Sequence, residues 1–133
     1  MRTQQLVDAA DARAILDAAL AEAARAGLAM SVAVTDAGGY PLSLQRMDGA
    51  GLLTADVALR KARTAALLRA PSRRLAERVA SDPALLALTD YLPMAGGLPV
   101  LLDGACVGAI GVSGGTPDQD EQIAAAGLAA LAG

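Results

Sequence analysis

The chain has no histidine, phenylalanine or tryptophan, and it has a single cysteine, Cys106, and a single lysine, Lys61. Without histidine, acid–base chemistry near neutral pH has to use a perturbed carboxylate, Lys61, a tyrosine or Cys106. One cysteine excludes an intramolecular disulfide and a cysteine-rich metal centre, and we assign no metal site. Because Cys106 lies in an apolar run, we expect a buried, unreactive thiol. Alanine, leucine and valine have to fill the core, so the elements should pack closely.

The chain also lacks an excess of basic charge and has few aromatic rings. Its net charge at pH 7 is −3, and its aromatic side chains are those of two tyrosines. We expect no nucleic-acid partner, because a basic field and stacking platforms are both missing. Arg69, Arg73, Arg74 and Arg78 form one local basic patch, which we interpret as a solvated helix face. No run resembles a signal peptide or reaches membrane-spanning length without a charge. We therefore expect a cytoplasmic protein, with no membrane partner, that forms one domain over residues 1–133.

Apolar periodicity and turn signals predict the order helix, two strands, two helices, two or three strands, helix. Hairpin-linked strands with helices at both ends of the chain indicate an α+β fold with an antiparallel sheet. Ser72 is predicted to cap the third helix, and Asp103-Gly104 predicts a tight hairpin. The predicted helices, caps included, span about 8–26, 54–68, 72–80 and 117–131, and the predicted strands span 30–35, 42–47, 92–94, 98–102 and 105–112.

The segment 108–121 indicates a buried strand, a glycine loop and the start of a helix. Thr116 is expected to cap this helix, with Gln119 completing a capping box. Backbone N–H groups in such a loop suit a carboxylate or a phosphate, and the alternative is a well-capped corner without a ligand. The loop matches neither a P-loop nor a dinucleotide fingerprint. The candidate ligand-binding residues here are Ser113, Gly114, Gly115 and Thr116.

Two further groups of candidate residues lie in and beside the first pair of predicted strands. Asp36 opens a turn with Gly38 and Gly39, where its carboxylate either bonds the following N–H groups or lies at the mouth of a pocket. Arg46 and Asp48 are two residues apart, so they point to the same side of a strand. They form either a structural ion pair or part of a ligand site.

Lys61 and Thr64 are three residues apart and therefore neighbours on one face of the second helix. The lysine either snorkels to the surface or, from an apolar face, reaches an anion or acts as a base. The candidate catalytic residues are Lys61, Asp36 and Asp48, and the candidate ligand-binding residues include Thr64, Arg46, Gly38 and Gly39.

Five short segments stand in a recognisable order and spacing: VTDAGG at 34–39, RMDGA at 46–50, KARTA at 61–65, GGLPV at 96–100 and GAIGVSGG at 108–115. Together they resemble the GlcG/HbpS family, also called the PduO C-terminal-like or haem-binding family. The resemblance extends from about Asp8 to Leu131. It implies a profilin-like fold with a five-stranded antiparallel sheet flanked by helices. It also implies a homo-oligomer, a dimer or larger, and some members bind haem or a related tetrapyrrole.

One difference from the family concerns its ligand. Many members have a histidine after the turn that Asp36 opens, and this chain has Tyr40 there. The remaining candidate iron ligands are Tyr40, Met47, Met94 and Cys106. For the two methionines the alternative is that they fill the core. The cofactor therefore stays open, with haem implied by the resemblance and disfavoured by the missing histidine.

Three functions remain in competition. The first is a small-molecule-binding homo-oligomer that takes haem or another carboxylated ligand. The second is a small enzyme, isomerase-, lyase- or hydratase-like, that acts on an organic acid. In it, Lys61, Asp36 or Asp48 moves a proton while the glycine loop stabilises an oxyanion. The third is a purely structural or interaction module. We favour the first by a small margin.

Overall fold

Two hairpins build the sheet, and their turns use residues in positive-φ conformations. Gly39 in the first turn has φ +85°, while Asp103 and Gly104 in the second have φ +51° and +81°, as in a type I′ turn. The strands are β1 (Ser31–Asp36), β2 (Pro41–Arg46), β3 (Gly97–Leu102) and β4 (Ala105–Ser113). The computed structural model describes residues 1–88 and 90–132, and the strands in them form one antiparallel sheet in the order β2-β1-β4-β3.

The same residues contain α1 (Ala9–Arg25), α2 (Thr54–Leu68), α3 (Arg73–Ser81), α4 (Pro117–Ala132) and a 3₁₀ helix, Pro83–Ala87. α1 begins at a capping box in which Asp8 Oδ1 accepts from the Asp11 N–H (2.9 Å). α4 begins at the predicted capping box, since Thr116 Oγ1 accepts from the Gln119 N–H (3.2 Å). Among the described residues, no helix is both long enough and apolar enough to cross a membrane.

The sheet separates two cores of different composition. α1 and α4 cover one face, and the core there uses larger side chains, among them Ile15, Met30, Val34 and Ile110. α2 covers the other face, where the buried cluster consists of alanines alone. These are Ala33, Ala58, Ala62, Ala65, Ala66 and Ala109.

Two glycines let the backbone of α2 lie directly on the sheet. A Cβ added at Gly111 would collide with the backbone of Ala58 and Ala62, and one at Gly97 would collide with the carbonyl of Lys61. β4 and β3 therefore approach α2 with no side chain in between. The close packing predicted from the composition is confirmed in this layer.

The α+β class is confirmed, but the expected five-stranded sheet is wrong, because the sheet has four strands. The predicted strand over 92–94 does not form, since side chains of neighbouring helices hold its backbone. The Leu92 N–H donates to Thr64 Oγ1 (2.8 Å), and the Met94 carbonyl accepts from Ser72 Oγ (2.6 Å). Pro93 has no N–H to offer a ladder.

Ser72 precedes α3 but does not cap it with its side chain. Its Oγ instead accepts from the Gly97 N–H (2.8 Å), and its own N–H donates to the Gly97 carbonyl (2.9 Å). The predicted cap is therefore wrong, because the hydroxyl ties the start of α3 to β3.

The basic patch after α2 is only partly solvated. Arg73 donates to Asp118 (2.7 Å) and to Glu121 (2.9 Å), both on α4. The hydrogen bond to Asp118 and, to a smaller extent, the hydrogen bond to Glu121 raise the pKa of the Arg73 guanidinium above its ordinary value. The patch therefore also links α3 to the first turn of α4.

Candidate functional site

The antiparallel pairing of β1 with β4 decides which predicted site residues meet. Ser31 lies opposite Ser113, and Asp36 lies opposite Gly108. Five residue steps along a strand separate these pairs by about 17 Å. We call the end with the Asp36 turn the turn end, and the end with the glycine loop, residues 113–116, the loop end. The structure therefore does not bring the Asp36 turn and the glycine loop into one pocket.

At the loop end, Lys61 forms a buried ion pair that no sequence motif marks. Its Nζ donates to Asp120 Oδ2 at 2.7 Å, and the two residues are only 1% and 2% exposed. The other carboxylate oxygen, Asp120 Oδ1, accepts from the Gly115 N–H at 2.8 Å. The anion that the glycine loop holds is therefore a side chain of the protein itself. Lys61 is not the snorkelling surface lysine that one interpretation expected.

Two of the predicted ligand donors of the loop, the N–H groups of Gly115 and Thr116, already have partners. The Gly115 N–H is bonded to Asp120, and the Thr116 N–H donates to Gln119 Oε1 at 2.9 Å. Gly114, with φ +138°, packs against the backbone of Met30. A ligand here would have to displace two internal acceptors. A binding role for this loop stays a prediction, and the geometry describes a closed corner.

Three other predicted site residues, Arg46, Asp48 and Thr64, do not lie together. Arg46 is the last residue of β2 and Asp48 lies in the turn after it; both are exposed. No ion pair joins them in the described part of the chain. Thr64 is buried, and its Oγ1 donates to the Arg60 carbonyl (2.7 Å) while accepting from Leu92. Thr64 therefore acts in the fold by holding the segment that was expected to be a strand.

The turn end carries a cleft of about 720 Å³, within the usual range of small-molecule sites. Its walls come from the N-terminal segment, the Asp36 turn, the end of α2 and the β3–β4 hairpin. The residues that matter for its chemistry are Arg2, Leu6, Asp36, Gly38, Arg69 and Cys106.

Positive charge dominates this cleft although the chain as a whole is acidic. Arg2 and Arg69 are exposed, and neither belongs to an ion pair within residues 1–88 and 90–132. Asp36 adds one carboxylate, but its Oδ1 already accepts from the N–H groups of Gly38 (2.9 Å) and Tyr40 (3.0 Å). Two guanidiniums against one engaged carboxylate favour an anionic ligand.

Cys106 is half-buried, not fully buried as its sequence context predicts. Cys106 lines the cleft, and its Sγ donates weakly to the Gly108 carbonyl at 3.3 Å. The difference arises because β4 is exposed where it begins and buried only from Val107 onward. Cys106 therefore borders the same cleft as Arg2 and Arg69.

The other candidate iron ligands do not line the cleft. Tyr40 is exposed, with the guanidinium of Arg63 over its ring at 5.5 Å. Met47 packs against the larger core, and its Sδ accepts from the Met30 N–H at 3.4 Å. Met94 lies between α3 and the start of α4. No cluster of three or more metal-ligating side chains occurs among the described residues.

The sequence analysis did not predict the roles of two residues. These are Asp120, which pairs with Lys61 at the loop end, and Arg69, which lines the cleft at the turn end. Asp120 is 59 positions from its partner Lys61, so no local pattern joins them. Arg69 was grouped with the other arginines, and only its left-handed backbone and its place in the cleft set it apart.

These features define a small α+β domain with a cation-lined cleft at one end of its sheet. A sequence profile described as "Haem degrading protein HbpS-like" matches residues 7–129, and the chain therefore belongs to the HbpS-like family. Protein GlcG of Escherichia coli K12 is 39% identical over 114 residues, which span 85% of this chain and 85% of GlcG. The resemblance to the GlcG/HbpS family is confirmed.

Solved structures agree with this assignment. The crystal structure of a double mutant of Streptomyces reticuli HbpS has a TM-score of 0.93 and 41% identity, over 98% of this chain and 90% of that one. A crystal structure of a PduOC:haem complex has a TM-score of 0.88 and 27% identity, over 95% of both chains.

Proposed function

We propose that this chain is a small-molecule-binding homo-oligomer of the HbpS type that takes a carboxylated, largely apolar ligand in the cleft at the turn end. The observation that carries the proposal is the pair Arg2 and Arg69, which share a cleft of about 720 Å³ and form no ion pair within the described residues. Leu6 and Ala105 supply apolar surface beside them. Guanidinium groups bind carboxylates through paired hydrogen bonds.

Haem is the first ligand to test, and the residues of the cleft fit it. Arg2 and Arg69 would match its two propionates in charge, and Cys106 would be the candidate iron ligand, through its sulfur. A bound haem would supply redox chemistry at its iron. The related PduOC structure, described as a haem complex, supports this choice. A metal-free porphyrin dicarboxylate would use the same two arginines without Cys106.

The decisive experiment is a spectrophotometric titration of the purified protein with haemin and, separately, with protoporphyrin IX. We expect both to bind at micromolar concentrations or below. Arg2→Gln should weaken both about tenfold to a hundredfold, because a hydrogen bond to a charged group contributes roughly 1.5–3 kcal/mol. Cys106→Ala should change the haemin spectrum and leave protoporphyrin binding intact.

The matched control is Arg13→Gln, which removes an exposed arginine of α1 outside the cleft and should leave both affinities unchanged. If the wild-type protein shows no spectral change with either compound at tens of micromolar, the proposed ligand class is wrong.

Assembly is the second part of the proposal. β2 is an edge strand, and its Leu42 and Leu44 are exposed, as are Leu52 and Leu53 before α2. Exposed apolar side chains along a free strand edge are typical of a surface that pairs with another chain. Native mass spectrometry should show integer multiples of the single-chain mass. A spectrum with only the single chain at micromolar concentration would contradict a homo-oligomer.

One observation favours a second function, an enzyme acting on an organic acid. Asp36 is the candidate catalytic residue that lines the cleft, whereas Lys61 is buried and Asp48 lies near the other end. Deuterium exchange at the methyl group of pyruvate, followed by NMR in D₂O, tests for proton abstraction. Wild type should accelerate the exchange and Asp36→Asn should not. Equal rates with and without wild-type protein count against this function.

A further inference from the structure

We infer that Arg69 is the residue that selects the carboxylate of the ligand, and that it does so from a backbone position suited to glycine. This inference rests on the proposed function, because it assigns a specificity role within the same cleft. It concerns a single residue at the end of α2, where the left-handed backbone favours glycine and the proposed contact with a carboxylate requires an arginine side chain.

The backbone at Arg69 is left-handed, with φ +54° and ψ +37°. The Arg69 N–H donates to the Ala66 carbonyl and the Ala70 N–H donates to the Ala65 carbonyl, both at 3.2 Å. These two bonds form a Schellman motif, whose left-handed residue is usually glycine. An L-residue there is strained, because its Cβ crowds the following carbonyl.

The rest of the chain follows the glycine preference. Within the described residues, six glycines have a positive φ, and the only other residues that do are Arg69 and Asp103. Asp103 lies in the tight hairpin between β3 and β4, where aspartate is a common turn residue. Arg69 has no such local reason, so its side chain has to account for its presence.

The role that fits the Arg69 side chain is to bind an anion in the cleft. Arg2 lines the cleft from the N-terminal segment and Arg69 lines it from the end of α2. Ala70, next to Arg69, is buried and anchors the end of α2. A guanidinium fork presents two parallel donors to a carboxylate. The competing explanation is that any cation at this place stabilises α2 through the helix dipole. The two explanations differ in what loss of the side chain does to ligand binding.

The test compares Arg69→Gly with Asp103→Gly, since both changes place glycine at a φ near +50°. The probes are protoporphyrin IX and its dimethyl ester, which keeps the ring and lacks the carboxylates. Arg69→Gly should raise Tm by about 2–5 °C through relief of strain. It should also weaken protoporphyrin IX binding about tenfold to a hundredfold and leave binding of the ester unchanged. Asp103→Gly should raise Tm without altering either affinity.

Three results would overturn the inference while the proposed function stands. They are unchanged protoporphyrin IX affinity in Arg69→Gly, an equal loss for acid and ester, and a lower Tm in that variant, as the dipole explanation expects. If wild type binds neither porphyrin, the proposed function fails and the inference fails with it.

Discussion

Lys61 and Asp120 place opposite charges where almost no water reaches, since their side chains are 2% and 3% exposed. Removing two charges from water costs several kcal/mol, and a close contact with further hydrogen bonds has to offset that cost. The bond from the Gly115 N–H to Asp120 supplies one such contact. At the scale of single residues, the pair therefore closes the glycine loop onto α2, and this is a structural role.

Lys61→Met should destabilise the protein by about 3–5 kcal/mol, because it leaves the Asp120 carboxylate buried and unpaired. Urea denaturation followed by circular dichroism measures this change. The control is Arg13→Met, which breaks the exposed pair with Asp17 and should cost less than about 1 kcal/mol. The double change Lys61→Met with Asp120→Leu should recover part of the loss, because it removes the unpaired carboxylate but also takes the acceptor away from the Gly115 N–H. Similar stabilities for Lys61→Met and Arg13→Met would contradict a structural pair.

At the scale of elements, the contact between α2 and the sheet is made by backbone and alanine methyl groups. Gly111 and Gly97 are the positions where the strands touch the helix backbone itself. A chain without phenylalanine or tryptophan fills this layer by bringing its elements together, not by adding side-chain volume. The position of α2 is therefore set by β4 and β3 with little room for adjustment.

Gly111→Ala should cost about 3 kcal/mol or more, since overpacking a close contact forces the backbone to move. Gly51→Ala provides the comparison, because its added Cβ would meet only Thr54 Cγ2 at an ordinary 3.6 Å. Thermal unfolding of both variants checks the prediction. A Gly111→Ala protein as stable as Gly51→Ala would show that α2 can move away from β4.

At the scale of the whole molecule, local signals predicted local structure well. The capping box of α4 and the Asp103-Gly104 turn were both predicted, because they involve residues within three positions of each other. The grouping of the site residues could not be predicted in this way. It depends on the antiparallel register of β1 and β4, which sends the Asp36 turn and the glycine loop to opposite ends.

The missing fifth strand has a similar cause. The residues 92–94 have a strand-like composition, but Thr64 and Ser72, more than twenty positions earlier, bond their backbone groups. Tertiary contacts of this kind override local propensity, and a single sequence does not reveal them.

The uneven burial of β4 has a consequence for how the molecule opens. Ala105 is exposed and Cys106 is half-buried, whereas the strand is buried from Val107 to Ser113 and is paired on both sides over residues 108–111. Backbone amides in the buried part should exchange with deuterium only on global unfolding, and those near Cys106 through local fraying. The cleft therefore lies at the end of β4 that opens first.

Adding protoporphyrin IX should slow deuterium exchange at residues 105–107 much more than a general increase in global stability of the same size would. Mass spectrometry of peptides from β4 measures this exchange. Uniform slowing along the strand would contradict a ligand seated at this end.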